Sequence, residues 1–253
     1  MSADGAVMFA RYAYPPNELG YCGPAGAGAM LDSGAVQEIK RRARQFEGAW
    51  SYLELLARAA GTEDPLDSEV VEAYWIGNAL LDAVEPSSLV AFLEERFLGQ
   101  VGGTWRAASH RARAHHSFQV FEVYPWADLL RAAGDRPTGP AVNVLDRCRI
   151  RTGVVHEVAG EQVTVRSAPL QWQGGFLEVG PDILEPARWS VGGSTLIPPP
   201  RVGETVALHW DWVCEVLTSG QAERIARDEL LQRVAIGLSA EATDPRRDPA
   251  RAP

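Results

Sequence analysis

Two residues of the C-terminal third have types and neighbours suited to chemistry. Cys148 lies among arginines at 147, 149 and 151, and a thiolate is a soft, anionic metal donor. In an extended segment the three arginines share one face and Cys148 takes the other. Their positive field then favours the thiolate through the backbone. The same pattern describes a buried strand cysteine with solvated arginines behind it. His209 is followed by Trp210, Asp211 and Trp212, an aromatic wall with a carboxylate, and it can orient a ligand or donate to a thiolate. A structural donor on a strand has the same sequence.

A second set comprises Cys22, in the turn-like segment 21-YCGP, with His110, His115 and His116. It would serve a thiol nucleophile or a metal. On a helix His110 and His115 diverge by about 140°, and on a strand His115 and His116 face opposite ways. Only a turn lets two of these rings converge with Glu122 or Cys22 on one ion. The glycines of 23-GPAGAGAMLDSG superficially resemble a dinucleotide loop, but Leu31 stands at the third glycine position and no predicted strand precedes the run. Signatures of serine hydrolases, kinases, P-loop proteins and zincins are absent.

The elements that must position these residues divide at a change of period. Residues 1–34 show no sustained period and are read as turns or a docking segment. Apolar residues at three- and four-residue steps predict helices over Val36–Ala60 and Ser68–Val84, and a third after Pro86 that stops at Gly99. The run 104-TWRAASHRARAHH predicts a short basic helix, 118-FQVFEVY favours a strand, and 126-WADLLRAAG is helical. A linker, 134-GDRPTGP, follows. Beyond it the period is two: strands over Ile150–Val158 and Gln162–Arg166 flank a tight Ala159-Gly160-Glu161 turn, with further strands at Phe176–Val179 and Thr205–Leu217. A final amphipathic helix runs from Ser219 to about Leu238. The expected fold is α+β: a helical domain over 1–139, a small OB-like antiparallel barrel with a C-terminal helix over 140–238, and a disordered tail over 239–253.

Within that second part, 148-CRIRTGVVHEVAGEQVTVRSAP and 202-VGETVALHWDWVCEVLTSGQAERIARDEL resemble the HypC/HupF-like family of [NiFe]-hydrogenase assembly chaperones. The matching positions are Cys148, Gly153, Val155, Val202, Gly203, Glu204, Val206 and His209, and the resemblance covers about one third of the chain. It implies an OB-like barrel, a transient iron carrying cyanide and carbon monoxide on Cys148, and support from His209 and Gly153. It also implies a partner, either an iron-carrier protein of the HypD type or the hydrogenase large-subunit precursor, that supplies the rest of the site. No permanent cofactor is implied. Two departures stand out: Cys148 is internal and so has no free α-amino group, and Thr152 occupies the place of the family's proline.

Composition narrows the alternatives. The formal charge is −9 and the pI about 5.1, which argues against a nucleic-acid partner. No apolar run approaches the roughly 20 residues of a membrane span, and the N-terminus has no basic flank before an apolar core, so the expected location is cytoplasmic. The three scattered cysteines form no CxxC pair and no disulfide framework. The resemblance makes an accessory chaperone the leading reading. A small thiol or metal enzyme using Cys22, His115 and His116 is the alternative, and a purely structural interaction module the third.

Overall fold

The structure, a computed structural model, describes residues 5–97, 99, 102–133 and 139–239. Most of the expected linker, residues 134–138, and the expected tail beyond Ser239 lie outside the described residues.

The segment read as aperiodic contains the first helix, α1 (Gly5–Glu18), which carries Pro15 and Pro16 in its last turn. Its period was hidden because it is buried on nearly every side: Phe9, Tyr12, Ala13 and Tyr14 are all inaccessible or nearly so, and a helix enclosed by protein shows no polar stripe. The helix expected over Val36–Ala60 is two, α2 (Val36–Ala43) and α3 (Glu47–Ala60). Between them the chain turns to bury Phe46, which meets the Phe9 ring edge-on at 5.3 Å. α4 (Ser68–Trp75) is capped by Asp67, whose side chain accepts from the Glu69 N–H, and Gly77 in the left-handed region ends it. α5 (Pro86–Arg96) starts on proline as expected.

Residues 104–124 depart further from expectation. The basic stretch forms only a 3-10 turn over Trp105–Ala107. The apolar run is not a strand: it continues the short α6 (His116–Phe118) as a π-helical turn over Gln119–Val123. A wholly buried apolar run reads alike for strand and helix. Here the turn points Glu122 inward, where Arg111 (2.8 and 3.1 Å), Thr104 (2.9 Å) and Gln232 (2.6 Å) satisfy it. α7 (Trp126–Ala133) follows as predicted.

Cys148 does not open a strand. It is the last residue of α8 (Gly139–Cys148), which also contains Pro140. β1 (Arg151–Ala159) begins three residues later and pairs with β2 (Gln162–Ser167) about the Gly160 turn. A separate hairpin of β3 (Leu170–Gln173) and β4 (Phe176–Val179) precedes β5 (Ile183–Arg188). The long strand expected over Thr205–Leu217 is β6 (Thr205–His209) and β7 (Trp212–Val216), joined through Trp210 in the left-handed region at φ 56°. The strands close in the order β1-β2-β5-β7-β6. All pairs are antiparallel except the closing seam, where β5 and β7 run parallel through Arg188 and Trp212. α9 (Ser219–Ala235) is fixed by a Thr218–Gln221 capping box. The chain is thus α+β, helical first and mainly antiparallel sheet after, with a C-terminal helix.

One apolar cluster runs from α1, α3 and α4 into Ile150, Ala207, Trp212 and Cys214 of the barrel. The arginines about Cys148 do not share a solvated face. Arg151 is buried and pairs bidentately with Glu185 (3.1 and 2.9 Å), which Arg147 and the Ser167 hydroxyl also reach. Arg149 turns instead to Asp146 and to Glu229 of α9. A helix end joined to a strand start breaks the alternation that would have aligned them. Gly153 is required by close approach: a Cβ there would lie 2.4 Å from Val165 Cγ1 and 3.0 Å from the Arg166 carbonyl. Glu185→Ala should strand the buried Arg151 guanidinium and cost about 3–5 kcal/mol. Urea denaturation of the variant against wild type measures this; a loss under about 1 kcal/mol, the range of a surface pair, would show that water reaches Arg151.

Candidate metal centre

The two sets of residues singled out in the sequence meet in part. His116 of α6, Cys148 at the end of α8 and His209 at the end of β6 each place one ligand atom within 4.8 Å of the others, and all three are buried. Each comes from an element end, where the backbone turns and a side chain can leave its neighbours' packing. Together they form part of the wall of a cavity of about 410 Å³. The rest of the wall includes the aromatic residues Tyr74, Trp75, Tyr124, Trp126 and Trp210 and one carboxylate, Glu47.

The rings are held from outside the cluster. His209 Nδ1 donates to the Tyr12 carbonyl at 2.7 Å, which fixes the neutral tautomer with a bare lone pair on Nε2. That Nε2 is buried and has no hydrogen-bond partner among the described residues. His116 Nε2 donates to the Cys148 carbonyl at 2.8 Å, and its Nδ1 accepts from the Tyr74 hydroxyl at 3.3 Å. The two imidazoles lie edge to face at 5.2 Å, with Trp75 against both.

Burial keeps every member neutral. It lowers the His116 pKa to about 3, the Cys148 carbonyl opposing and His115 assisting, and it takes His209 well below its usual value, with His116 assisting. It pushes the Cys148 thiol far up, and nearby Cys22 adds to the rise. The three arginines are each committed to carboxylates, so the field expected to favour a thiolate is cancelled. An ion entering here must displace the thiol proton itself. The donor set is two imidazoles and one sulfur without a carboxylate, which suits iron, cobalt or zinc and not magnesium or calcium.

The remaining candidates are elsewhere or play other parts. Cys22 lines the same cavity but lies outside the cluster, and burial pushes its thiol up to about 12. His115 caps α6, its Nδ1 accepting from the Ser117 N–H at 3.1 Å and meeting the Ser117 hydroxyl at 2.7 Å. His110 is exposed. Sequence reasoning misses the union of His116 with Cys148 and His209 because it sets His116 beside His110, His115, Glu122 and Cys22, and no spacing along the chain links it to the barrel residues. It also misses Tyr12 and Tyr74, for which no local signal exists.

A model of one protein family, described as Family of unknown function (DUF6390), matches residues 1–239. Neither a curated protein nor a solved structure matches the chain. Among the described residues no helix is long and apolar enough to cross a membrane.

The buried histidines carry a pH prediction for the metal-free protein. Their folded pKa values lie below the unfolded value of about 6.5, so their neutral burial costs nothing above that pH. As pH falls through 6.5 the unfolded chain takes up protons that the fold refuses. Stability should then drop by up to about 1.4 kcal/mol per pH unit for each of His115, His116 and His209. Thermal unfolding should be level from pH 8 to 7 and fall steeply by pH 5; a level profile throughout would mean that the rings accept protons within the fold.

Proposed function

The chain belongs to the DUF6390 family, and we propose that it serves as a non-catalytic accessory protein of [NiFe]-hydrogenase maturation in the cytoplasm. In this reading its barrel docks on an iron-carrier protein of the HypD type or on the hydrogenase large-subunit precursor. The cargo is iron carrying cyanide and carbon monoxide, held transiently rather than as a resident cofactor. One observation carries the proposal: Cys148 and His209, the two positions marked by the resemblance to the HypC/HupF-like chaperones, lie in one buried cluster although one ends a helix and the other a strand. A soft sulfur donor beside a neutral imidazole with a free lone pair is a suitable cradle for low-valent iron. The acidic charge of the chain fits a protein partner better than a nucleic acid.

The enzyme reading draws on Cys22 in the cavity wall. A nucleophile needs a lowered thiol pKa or an adjacent base; burial moves Cys22 the other way, and His115 is turned to Ser117. The chaperone reading is therefore preferred, and a purely structural module is left as an outcome of the test. In a deletion strain scored by hydrogen uptake at matched protein levels, Cys148→Ala should abolish complementation. His209→Ala should reduce it about 10–100-fold, and Cys22→Ala should have the smallest effect. Full activity from Cys148→Ala would eliminate the carrier role and leave docking alone; no phenotype on deleting the whole gene would end the maturation reading.

A further inference from the structure

We infer that His116 is a third protein ligand, so that this chain holds a borderline-soft divalent metal by His116, Cys148 and His209 without a donor from any partner. The resemblance implies a cysteine and a supporting histidine on the barrel, with the rest of the site supplied by another protein. Here the helical part of the same chain brings a second imidazole to the spot. The inference deepens the proposed function and rests on it for the nature of the cargo; the metal binding itself stands on the geometry.

Three observations point to a ligand and not to a packed core. First, His209 Nε2 is a bare acceptor, buried and without a partner among the described residues. An apolar core would have no use for such an atom, whose desolvation costs about 1–3 kcal/mol unless something binds it. Second, the backing of His209 is of the kind found behind metal-ligating histidines, a backbone carbonyl on the far nitrogen that fixes tautomer and ring orientation. Third, the three donors converge from different elements. Two nitrogens at about 2.0–2.1 Å and one sulfur at about 2.3 Å around a tetrahedral ion are roughly 3.3–3.6 Å apart. Side-chain rotations of about 1 Å suffice to draw donors within 4.8 Å of one another to that spacing.

Loading exchanges one of the two hydrogen bonds of His116 for a bond to the metal and transfers the Cys148 thiol proton to solvent. No oxidant or reductant is needed. Because all three residues line the cavity, three protein ligands leave a further coordination position for a small ligand there.

The test is titration of the purified full-length chain with cobalt(II) chloride under anaerobic conditions. One cobalt per chain should bind, with visible ligand-field bands of four-coordinate cobalt and a near-ultraviolet sulfur-to-cobalt band. Cys148→Ser should remove the sulfur band. His116→Gln and His209→Gln should each weaken binding by more than about a hundredfold, beyond the loss usual for an outer-shell partner. The exposed His110→Gln serves as control. X-ray absorption of the cobalt-loaded wild type needs no variant to fold, and it should report two imidazoles and one sulfur. Absence of cobalt binding by the folded wild type, a single imidazole in the absorption spectrum, or wild-type affinity in a folded His116→Gln variant would each overturn the inference. Hydrogenase takes no part in these measurements. Intact cobalt binding without a maturation phenotype would sink the proposed function alone, and a full phenotype without cobalt binding would sink this inference alone.

Discussion

Tyr12 of α1 reaches two strands and the cluster at once. Its carbonyl accepts from His209 at the end of β6, and its hydroxyl donates to Glu215 of β7 at 2.9 Å. Its ring stacks on Trp75 at 5.3 Å, and Trp75 in turn lies against His116 and His209. Arg11, next along the helix, adds an ion pair to Glu215 and a bond to the Leu196 carbonyl. The tautomer of His209, the placement of His116 and the attachment of the helices to the barrel therefore share one docking contact. The fold has little freedom to loosen one without disturbing the others, since a donor removed here leaves buried acceptors unpaired.

The parts legible in the sequence were those with one solvated face. α5, α7 and α9 and the β1–β2 hairpin could be read because polar residues mark their outer sides and because proline or glycine marks several of their ends. Two parts that were not legible, α1 and the π-helical turn at Gln119–Val123, are enclosed on all sides; α8 has an exposed side, but its Gly139-Pro140 start reads as linker and its end as a strand start. The site was legible in halves. Cys148 and His209 were paired by resemblance, whereas the third member, His116, is joined to them by tertiary packing that no spacing along the chain encodes. Burial also reversed one expectation, since arginines close in sequence to Cys148 are spent on Glu185, Asp146 and Glu229.

Charge balance connects the cluster to its aromatic surroundings. A divalent ion bound by one thiolate and two neutral imidazoles keeps one net positive charge, which is costly against the Tyr and Trp side chains of the cavity. Anionic small ligands on the ion would cancel that charge, and a hydrated ion would not. The same aromatic part of the wall that disfavours a bare thiolate would thus favour an ion already dressed with anions.

Because Tyr12, His116, Cys148 and His209 are scattered over most of the chain, no stretch emerging early in synthesis contains the cluster. The nascent protein has a helix, a lone histidine or a lone cysteine, but no cradle, until β6 has been made and folded against α1. The three donors can therefore converge only once the chain has been made as far as His209, and whatever the cluster would bind cannot be held by a shorter nascent segment.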